Sequence, residues 1–260
     1  MKTEQHHDLA SCASQAIRES LEVLSLSDAA DGRVHHEAGR DIKLQADLLL
    51  SSELTERLTK ATGIPCLSEE DAASHGMPSG NAATWIVDPL DGSMNFTRSL
   101  PLYCVSIALW GGGKPEIGII HDIPRGVTMI GYDGVAKAEG TSMRVSRVQA
   151  LDKAVLATGF PVLMDTSPEN TGWFLDFADA FKKVRMLGSA ALSMAWVAQG
   201  RLDVYFEKDI MIWDIAAGAA LVRGAGGVCL MRLGSHPLSL DVLAANADLA
   251  EAARKRLEWE

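Results

Sequence analysis

The stretch WIVDPLDGSMNF, residues 85–96, joins a short apolar run to an acidic turn. An apolar run that ends in Asp-Pro is typical of a buried strand leading into a turn. Asp88 and Asp91 lie at the carboxyl end of this predicted strand, where carboxylates project from a rigid sheet edge into the adjoining crevice. Gly92 permits an unusual turn, and the backbone amide that follows it at Ser93 can receive a phosphate. The stretch therefore predicts a strand with a candidate site at its end, and a simple polar turn is the alternative.

The first half of the chain surrounds this strand with helices and further strands. Apolar residues at helical spacing predict one helix over 9–24 and a second over 41–61, which Gly63 ends. Runs of β-forming residues separated by turn residues then predict an antiparallel meander over 102–132. This half is therefore expected to be mostly antiparallel.

The second half alternates between helices and strands. The predicted helices cover 168–181, 190–199, 214–225 and a last segment from Asp248, and the predicted strands cover 153–158, 202–206, 228–231 and 242–245. Ser189 is the expected N-cap of the second of these helices, and Asp248 with Glu251 fits a capping box. An antiparallel half followed by an alternating half predicts a layered α+β or mixed α/β architecture. We place the halves at 1–148 and 149–260, as one compact unit with a shared cleft.

Composition excludes several classes of protein. The 260 residues are 47% hydrophobic and 22% charged, which is globular composition rather than that of a disordered chain. Asp plus Glu outnumber Lys plus Arg by 34 to 24, for a net charge of −10, which argues against a dedicated nucleic-acid binder. Four widely spaced cysteines predict reduced thiols, and no apolar stretch predicts a signal sequence or a membrane span. A cytoplasmic protein is therefore expected.

Acidic residues elsewhere extend the candidate site. An acidic triplet at 69–71 follows an apolar approach, and Asp214 begins an apolar, Ala-rich helix, where a simple N-cap is the alternative. If Glu69, Asp88, Asp91 and Asp214 converge, their charges repel one another strongly unless cations share the pocket. Mg²⁺ prefers such a set of carboxylates, together with waters and phosphate oxygens. Convergence would therefore imply a metal site.

Taken together, these motifs resemble the inositol monophosphatase family of lithium-sensitive, magnesium-dependent phosphatases. The resemblance covers nearly the whole chain and rests on GRDIKLQAD at 39–47, LSEED at 67–71, WIVDPLDGSMNF at 85–96, ATGFP at 157–161, LGSAA at 187–191, WDIAAG at 213–218 and AGG at 225–227. It implies a layered αβαβα sandwich of the inositol monophosphatase and fructose-1,6-bisphosphatase type, and a homodimer.

The resemblance also implies roles for individual residues. The implied metal ligands are Glu69, Asp88, the backbone carbonyl of Leu90, Asp91 and Asp214, with Glu70 beside the most weakly held ion. Asp47 and Ser93 would orient and deprotonate the attacking water, with Glu69 and Asp91 completing the catalytic set. The implied substrate contacts are Asp91, Gly92, Ser93, Gly188, Ser189, Ala190, Glu207 and Asp214.

The implied activity is hydrolysis of a phosphate monoester by water, with two or three Mg²⁺ ions, inhibition by Li⁺ and no covalent intermediate. Inositol 1-phosphate is the first candidate substrate, because Asn95-Phe96, ATGFP and Glu207 resemble the inositol branch. The alternatives are 3'-phosphoadenosine 5'-phosphate, whose branch usually has a Lys and an acidic residue or Gly in place of Met94 and Asn95, and fructose 1,6-bisphosphate. A role as a binding or regulatory partner is a hypothesis of a different class.

Overall fold

The computed structural model describes residues 2–25, 34–38, 41–74, 76–78, 82–160 and 167–259. The helices are α1 (Lys2–Ser25), α2 (Gln45–Thr62), α3 (Ser93–Thr97), α4 (Pro168–Ala178), α5 (Ala190–Ala198), α6 (Ile212–Gly224) and α7 (Ala247–Arg256). The strands are β1 (Val34–Ala38), β2 (Asp41–Leu44), β3 (Cys66–Ser68), β4 (Thr84–Asp91), β5 (Cys104–Gly111), β6 (Lys114–Asp122), β7 (Val127–Tyr132), β8 (Val135–Ala138), β9 (Thr141–Ser142), β10 (Val155–Ala157), β11 (Lys183–Arg185), β12 (Val204–Met211), β13 (Val228–Leu233) and β14 (Ser239–Ala245).

Two mixed sheets organise these elements. The larger one has the order β3-β4-β5-β6-β7-β8-β9, in which only the β3–β4 pair is parallel. The smaller one has the order β11-β10-β12-β14-β13, with β10 parallel to both of its neighbours. β1 and β2 form a separate antiparallel hairpin. The antiparallel meander and the alternating second half predicted from the sequence are confirmed.

The sheets and helices stack in five layers. α1 and α2 bury their apolar faces on one side of the larger sheet, in a core that includes Ile17, Leu54 and Ile107. α5 and α6 fill the space between the two sheets, and α4 and α7 cover the outer face of the smaller one. The expected αβαβα sandwich is therefore confirmed.

Helix α6 lies unusually close to the larger sheet because two strands carry glycine beneath it. A Cβ atom on Gly118 of β6 would overlap the backbone oxygen of Ala217, and one on Gly131 of β7 would lie 2.7 Å from the Cα of Leu221. The backbones of the helix and the strands are in direct contact at these glycines, and such close packing leaves little room for the helix to shift. The Oγ of Ser106 also donates a hydrogen bond to the carbonyl of Trp213, at 3.2 Å. The start of α6 is therefore held in place against β5.

The structure corrects three local predictions. Residues 41–44 form strand β2 rather than the start of α2, because Asp-Ile-Lys-Leu alternates with the period of a strand and pairs with β1. The predicted capping box is wrong, since Asn246 is the N-cap of α7 and accepts a hydrogen bond from the Leu249 amide at 2.9 Å. Helix α4 ends at Ala178 instead of Phe181, where i to i−3 hydrogen bonds replace helical ones before β11.

Two parts of the quoted motifs, residues 39–40 and Pro161, lie outside the described residues. Within the described ranges, none of the helices is both long and apolar enough to cross a bilayer.

Candidate active site

Three of the predicted carboxylates meet in one place. Asp88, Asp91 and Asp214 each offer an oxygen, and these oxygens lie within 4.8 Å of one another. Residues three apart in a regular strand point to opposite faces, but the register between β4 and β5 shifts between Asp88 and Asp91. Pro89 occupies this irregular segment, where a missing N–H breaks no ladder hydrogen bond. The bulge thus brings both carboxylates to the same side as Asp214.

The alternative role considered for Asp214, as an N-cap, is wrong. The N-cap of α6 is Met211, and no side chain caps this helix end. Asp214 lies in the first turn of α6, which begins directly after β12. Its carboxylate is therefore available to the cluster instead of being used to terminate the helix.

Burial and mutual repulsion dominate the electrostatics of the cluster. Burial, followed by the charges of Glu69 and Asp91, raises the pKa of Asp88 well above its ordinary value. Burial and the charges of Asp91 and Glu69 raise the pKa of Asp214 in the same way. The pKa of Asp91 is also raised by burial, against hydrogen bonds that lower it. All three groups are thus held in an environment that disfavours their charged forms.

The residues of this cluster fit a divalent cation. Asp88 accepts a hydrogen bond from the Leu90 amide on Oδ1, at 3.0 Å, whereas its Oδ2 is buried without a hydrogen-bond partner among the described residues. A buried carboxylate oxygen with no donor is costly, and a hard cation is the partner that compensates several such oxygens together. The donor set consists of oxygens alone, which suits Mg²⁺.

Glu69 and Asp47 approach the cluster from two other elements. Glu69 opens a 3₁₀ turn, residues Glu69–Ser74, directly after β3, and β3 is parallel to β4. Parallel strands end at the same sheet edge, so Glu69 arrives beside Asp88 and its charge raises the pKa of that residue. Asp47 is buried in the first turn of α2 and has the same effect on Asp88, to a smaller degree. Glu70 is half-buried in the turn that begins at Glu69.

The turn after β4 requires glycine. Gly92 has a φ of +91°, and a Cβ atom there would lie 2.7 Å from the carbonyl oxygen of Leu102. The helix α3 begins at the next residue, Ser93, whose Oγ donates a hydrogen bond to the carbonyl of Leu90 at 2.9 Å. This turn therefore holds the Leu90 carbonyl, the Gly92 backbone and the Ser93 hydroxyl together at the end of β4.

The start of α5 forms the opposite wall and is bound directly to Asp91. The Oγ of Ser189 donates to Oδ2 of Asp91 at 2.6 Å, and the Ala191 amide donates to the same oxygen at 2.8 Å. The thiol of Cys104 approaches this oxygen at 3.7 Å. Sequence reasoning missed Cys104, although the β4–β5 register places it opposite Asp91. Only knowledge of that register could have predicted the contact.

Asn95 fixes the segment that precedes α5. Its Nδ2 lies 2.8, 2.9 and 3.2 Å from the carbonyl oxygens of Leu102, Leu187 and Gly188, which share its two N–H donors. Gly188 has a φ of +71°, and a Cβ atom there would lie 3.0 Å from the amide of Asn95. The segment at 187–189 is therefore tied to α3 and to Asp91 at once.

A cavity of about 430 Å³ opens beside these groups. Its lining includes Glu69, Asp91, Ser189, Ala190, Glu207 and Asp214. Glu207 is buried on β12 and accepts a hydrogen bond from the Tyr205 hydroxyl at 2.7 Å. Burial raises the pKa of Glu207 to about 7, although the Tyr205 hydrogen bond lowers it. Gly159 makes room for this side chain, since a Cβ there would lie 2.8 Å from Oε1 of Glu207.

Comparison with known proteins gives consistent matches. A sequence model described as the inositol monophosphatase family matches residues 3–258. The chain is 33% identical over 239 residues to an inositol-1-monophosphatase of Caulobacter vibrioides, which covers 86% of this chain and 90% of that relative. It is 37% identical over 172 residues to the Nus factor SuhB of Pasteurella multocida, which covers 65% of this chain and only 64% of that relative. The structure of an inositol monophosphatase from Anabaena sp. PCC 7120 superposes with a TM-score of 0.79 at 27% identity, over 99% of this chain and 97% of that one.

Proposed function

The chain belongs to the inositol monophosphatase family of metal-dependent phosphatases, and from this premise we propose that it hydrolyses a phosphate monoester of a small polyol. Inositol 1-phosphate is the first candidate substrate. The observation that carries the proposal is the meeting of Asp88, Asp91 and Asp214 beside a cavity that also holds Glu207.

Asp88, Asp91 and Asp214 would hold the cations, together with Glu69 and the carbonyl of Leu90. We expect two or three Mg²⁺ ions and inhibition by Li⁺, as the family resemblance implies. When bound, Mg²⁺ neutralises charge on phosphate and leaving-group oxygens and lowers the pKa of water.

The reaction we propose is direct displacement by water. The water oxygen forms a bond to phosphorus while the bond from phosphorus to the ester oxygen breaks, which yields inorganic phosphate and an alkoxide that takes a proton from solvent water to become the alcohol. Asp47 acts as the general base, and the hydroxyl of Ser93 relays the proton to it. In the structure this hydroxyl donates to the Leu90 carbonyl, and serine lacks the methyl group that restricts χ1, so the hydroxyl can change its rotamer for the relay. The amides of Gly92 and Ser93 hold the phosphoryl oxygens.

The alcohol part of the substrate would occupy the cavity between α5 and β12. A volume of about 430 Å³ falls within the range of small-molecule sites, and the cavity is walled by the 188–190 segment and Glu207. A buried carboxylate accepts hydrogen bonds from sugar hydroxyls, and such a group favours a polyol over an aromatic alcohol. The Glu207 carboxylate is therefore the group we assign to substrate hydroxyls.

Comparing phosphate esters tests this proposal. The purified protein with Mg²⁺ is expected to release phosphate from inositol 1-phosphate with a higher kcat/KM than from 3'-phosphoadenosine 5'-phosphate or fructose 1,6-bisphosphate. A preference for the nucleotide would replace the inositol assignment, and no phosphate release from any of the three would remove the phosphatase proposal.

The Glu207→Gln variant tests the contact between Glu207 and the substrate, and 4-nitrophenyl phosphate is the control substrate. Glutamine keeps the shape and still accepts from Tyr205 but loses the charge, so kcat/KM for inositol 1-phosphate should fall about tenfold, as for one charged hydrogen bond. The rate with 4-nitrophenyl phosphate, which offers no hydroxyl, should change less than about twofold. Equal losses with both esters would show that Glu207 does not contact the alcohol.

We also propose that the protein is a homodimer that uses the surface around α3 and β11. Met94, Leu100 and Met186 are each about half exposed, at 48%, 50% and 49%. Asn95 joins the first two to the third, because it bonds Leu187 and accepts from the Leu100 amide. We take these exposed apolar side chains, which lie on segments linked through Asn95, as part of the interface.

Sedimentation velocity tests the dimer. Wild-type protein is expected to sediment as a dimer, and the Met94→Lys, Met186→Lys double variant as a monomer. The Leu233→Lys variant is the control, because Leu233 is 76% exposed on β13, at the opposite edge of the smaller sheet from β11. A monomeric wild-type protein would contradict the proposal, as would equal behaviour of the two variants.

A further inference from the structure

Three donors converge on a single oxygen of Asp91. Oδ2 accepts hydrogen bonds from the Ser189 hydroxyl at 2.6 Å and from the Ala191 amide at 2.8 Å, and the Cys104 thiol approaches at 3.7 Å. One carboxylate oxygen has about two lone-pair sites. Oδ2 is therefore fully used by the protein, and the Ala190 amide also donates to this carboxylate.

The hydroxyl of Ser189 is equally committed. It is buried, with the residue only 4% exposed, and it accepts a hydrogen bond from the Leu192 amide at 3.2 Å while it donates its proton to Asp91. A hydroxyl has one proton to donate, and this proton is already used. The family resemblance assigns Ser189 to the substrate, whereas its observed hydrogen bonds are directed at the carboxylate.

The same hydrogen bonds couple two walls of the cavity. Ser189 caps α5 and holds Asp91, and the preceding carbonyls at Leu187 and Gly188 are held by Asn95. The carboxylate of Asp91 and the start of α5 are therefore held in a fixed position relative to each other. A hydrogen-bond partner of a metal ligand fixes the orientation of that ligand and contributes about 10- to 100-fold to metal affinity.

We propose that Ser189 is a positioning residue that orients Asp91 for metal binding, and that it does not donate a hydrogen bond to the substrate. This inference rests on the proposed function, because it concerns the metal that the phosphatase reaction requires. Loss of the hydroxyl leaves Oδ2 of Asp91 held mainly by the Ala191 amide, so the carboxylate is less well oriented and the protein needs more Mg²⁺ to fill the site. At saturating Mg²⁺ the cavity that binds the substrate is unchanged, so the substrate affinity is expected to stay the same.

The test measures Mg²⁺ binding without substrate, by calorimetry and by the thermal unfolding midpoint as a function of Mg²⁺ concentration. For Ser189→Ala, the half-saturating Mg²⁺ concentration is expected to rise about tenfold. The KM for inositol 1-phosphate at saturating Mg²⁺ is expected to stay within about twofold of the wild-type value. Ser189→Thr restores the hydroxyl and should return the half-saturating concentration toward that of the wild type.

Ser14→Ala is the matched control, because it removes a buried helix hydroxyl that donates to the Ala10 carbonyl within α1 and does not line the cavity. Its half-saturating Mg²⁺ concentration should remain unchanged. If Ser189→Ala fails to fold, Ser189→Gly also removes the donor while glycine remains a tolerated N-cap residue, and it should give the same rise.

Unchanged Mg²⁺ binding in Ser189→Ala would overturn the inference, and a raised KM with unchanged Mg²⁺ binding would make Ser189 a substrate contact. A wild-type protein that Mg²⁺ does not stabilise would instead contradict the proposed function. The two failures are therefore distinguishable in the same set of titrations.

Discussion

Replacement of Asp88 by asparagine is expected to lower kcat for phosphate release by about 10³-fold at any Mg²⁺ concentration. Asp88 is fully buried between Asp91 and Asp214, and its Oδ2 has no hydrogen-bond partner among the described residues. Asparagine offers one neutral oxygen in its place, so the site loses one of the charges that would hold cations. Metal electrostatics contributes several kcal/mol to such reactions, and about 4 kcal/mol corresponds to 10³-fold in rate.

Asp203→Asn is the control for this prediction. Asp203 is also buried, and its carboxylate accepts a hydrogen bond from the Val155 amide at 2.7 Å, which the carbonyl oxygen of asparagine can replace. It is absent from the residues that line the cavity. We expect its phosphate release to match the wild type within about twofold, because an isosteric change outside the site leaves the reacting groups in place. An Asp88→Asn variant that keeps more than about a tenth of wild-type activity would rule out the metal assignment.

The part of the site that the sequence predicts well is local. The apolar run, the Asp-Pro step and Gly92 lie side by side, so the pattern predicts β4 and the turn that follows it from neighbouring residues alone. The convergence of Asp214 with β4 depends instead on how α6 packs, which is set by Gly118 and Gly131 in strands that are distant in sequence. That geometry could be anticipated only from the family resemblance.

The residues that hold Asp91 and the segment before α5 in place could not be predicted either, because they also lie far apart in the sequence. Cys104 reaches Asp91 through strand register, and Asn95 reaches Gly188 through the docking of α3 on the segment before α5. Neither contact leaves a periodic signal in the sequence. The error at residues 41–44 has a different cause, because four alternating residues are too few to outweigh the helical spacing that continues after them.

Removal of divalent cations is expected to make the free energy of unfolding fall as the pH rises from about 5 to 8. The pKa values of Asp88, Asp91 and Asp214 are raised in the folded protein, first of all by burial. In the unfolded chain the same groups titrate near about 4. Between these values the folded protein binds more protons than the unfolded chain, so stability decreases with pH. The contribution is fully present below about pH 4 and is lost as the pH rises through the folded pKa values.

Thermal unfolding in a chelator and in saturating Mg²⁺, at pH 5.5 and pH 8, measures this linkage. Mg²⁺ should raise the unfolding midpoint more at pH 8 than at pH 5.5, because more of the carboxylates are charged and able to bind the cation at the higher pH. Asp88→Asn removes one of the repelling charges, so in the chelator at pH 8 this inactive variant should be more stable than the wild type. Its midpoint should also depend less on pH and on Mg²⁺. Equal pH dependence of the two proteins in the chelator would mean that the three carboxylates do not repel one another. The repulsion that we take as evidence for a cation site would then be absent.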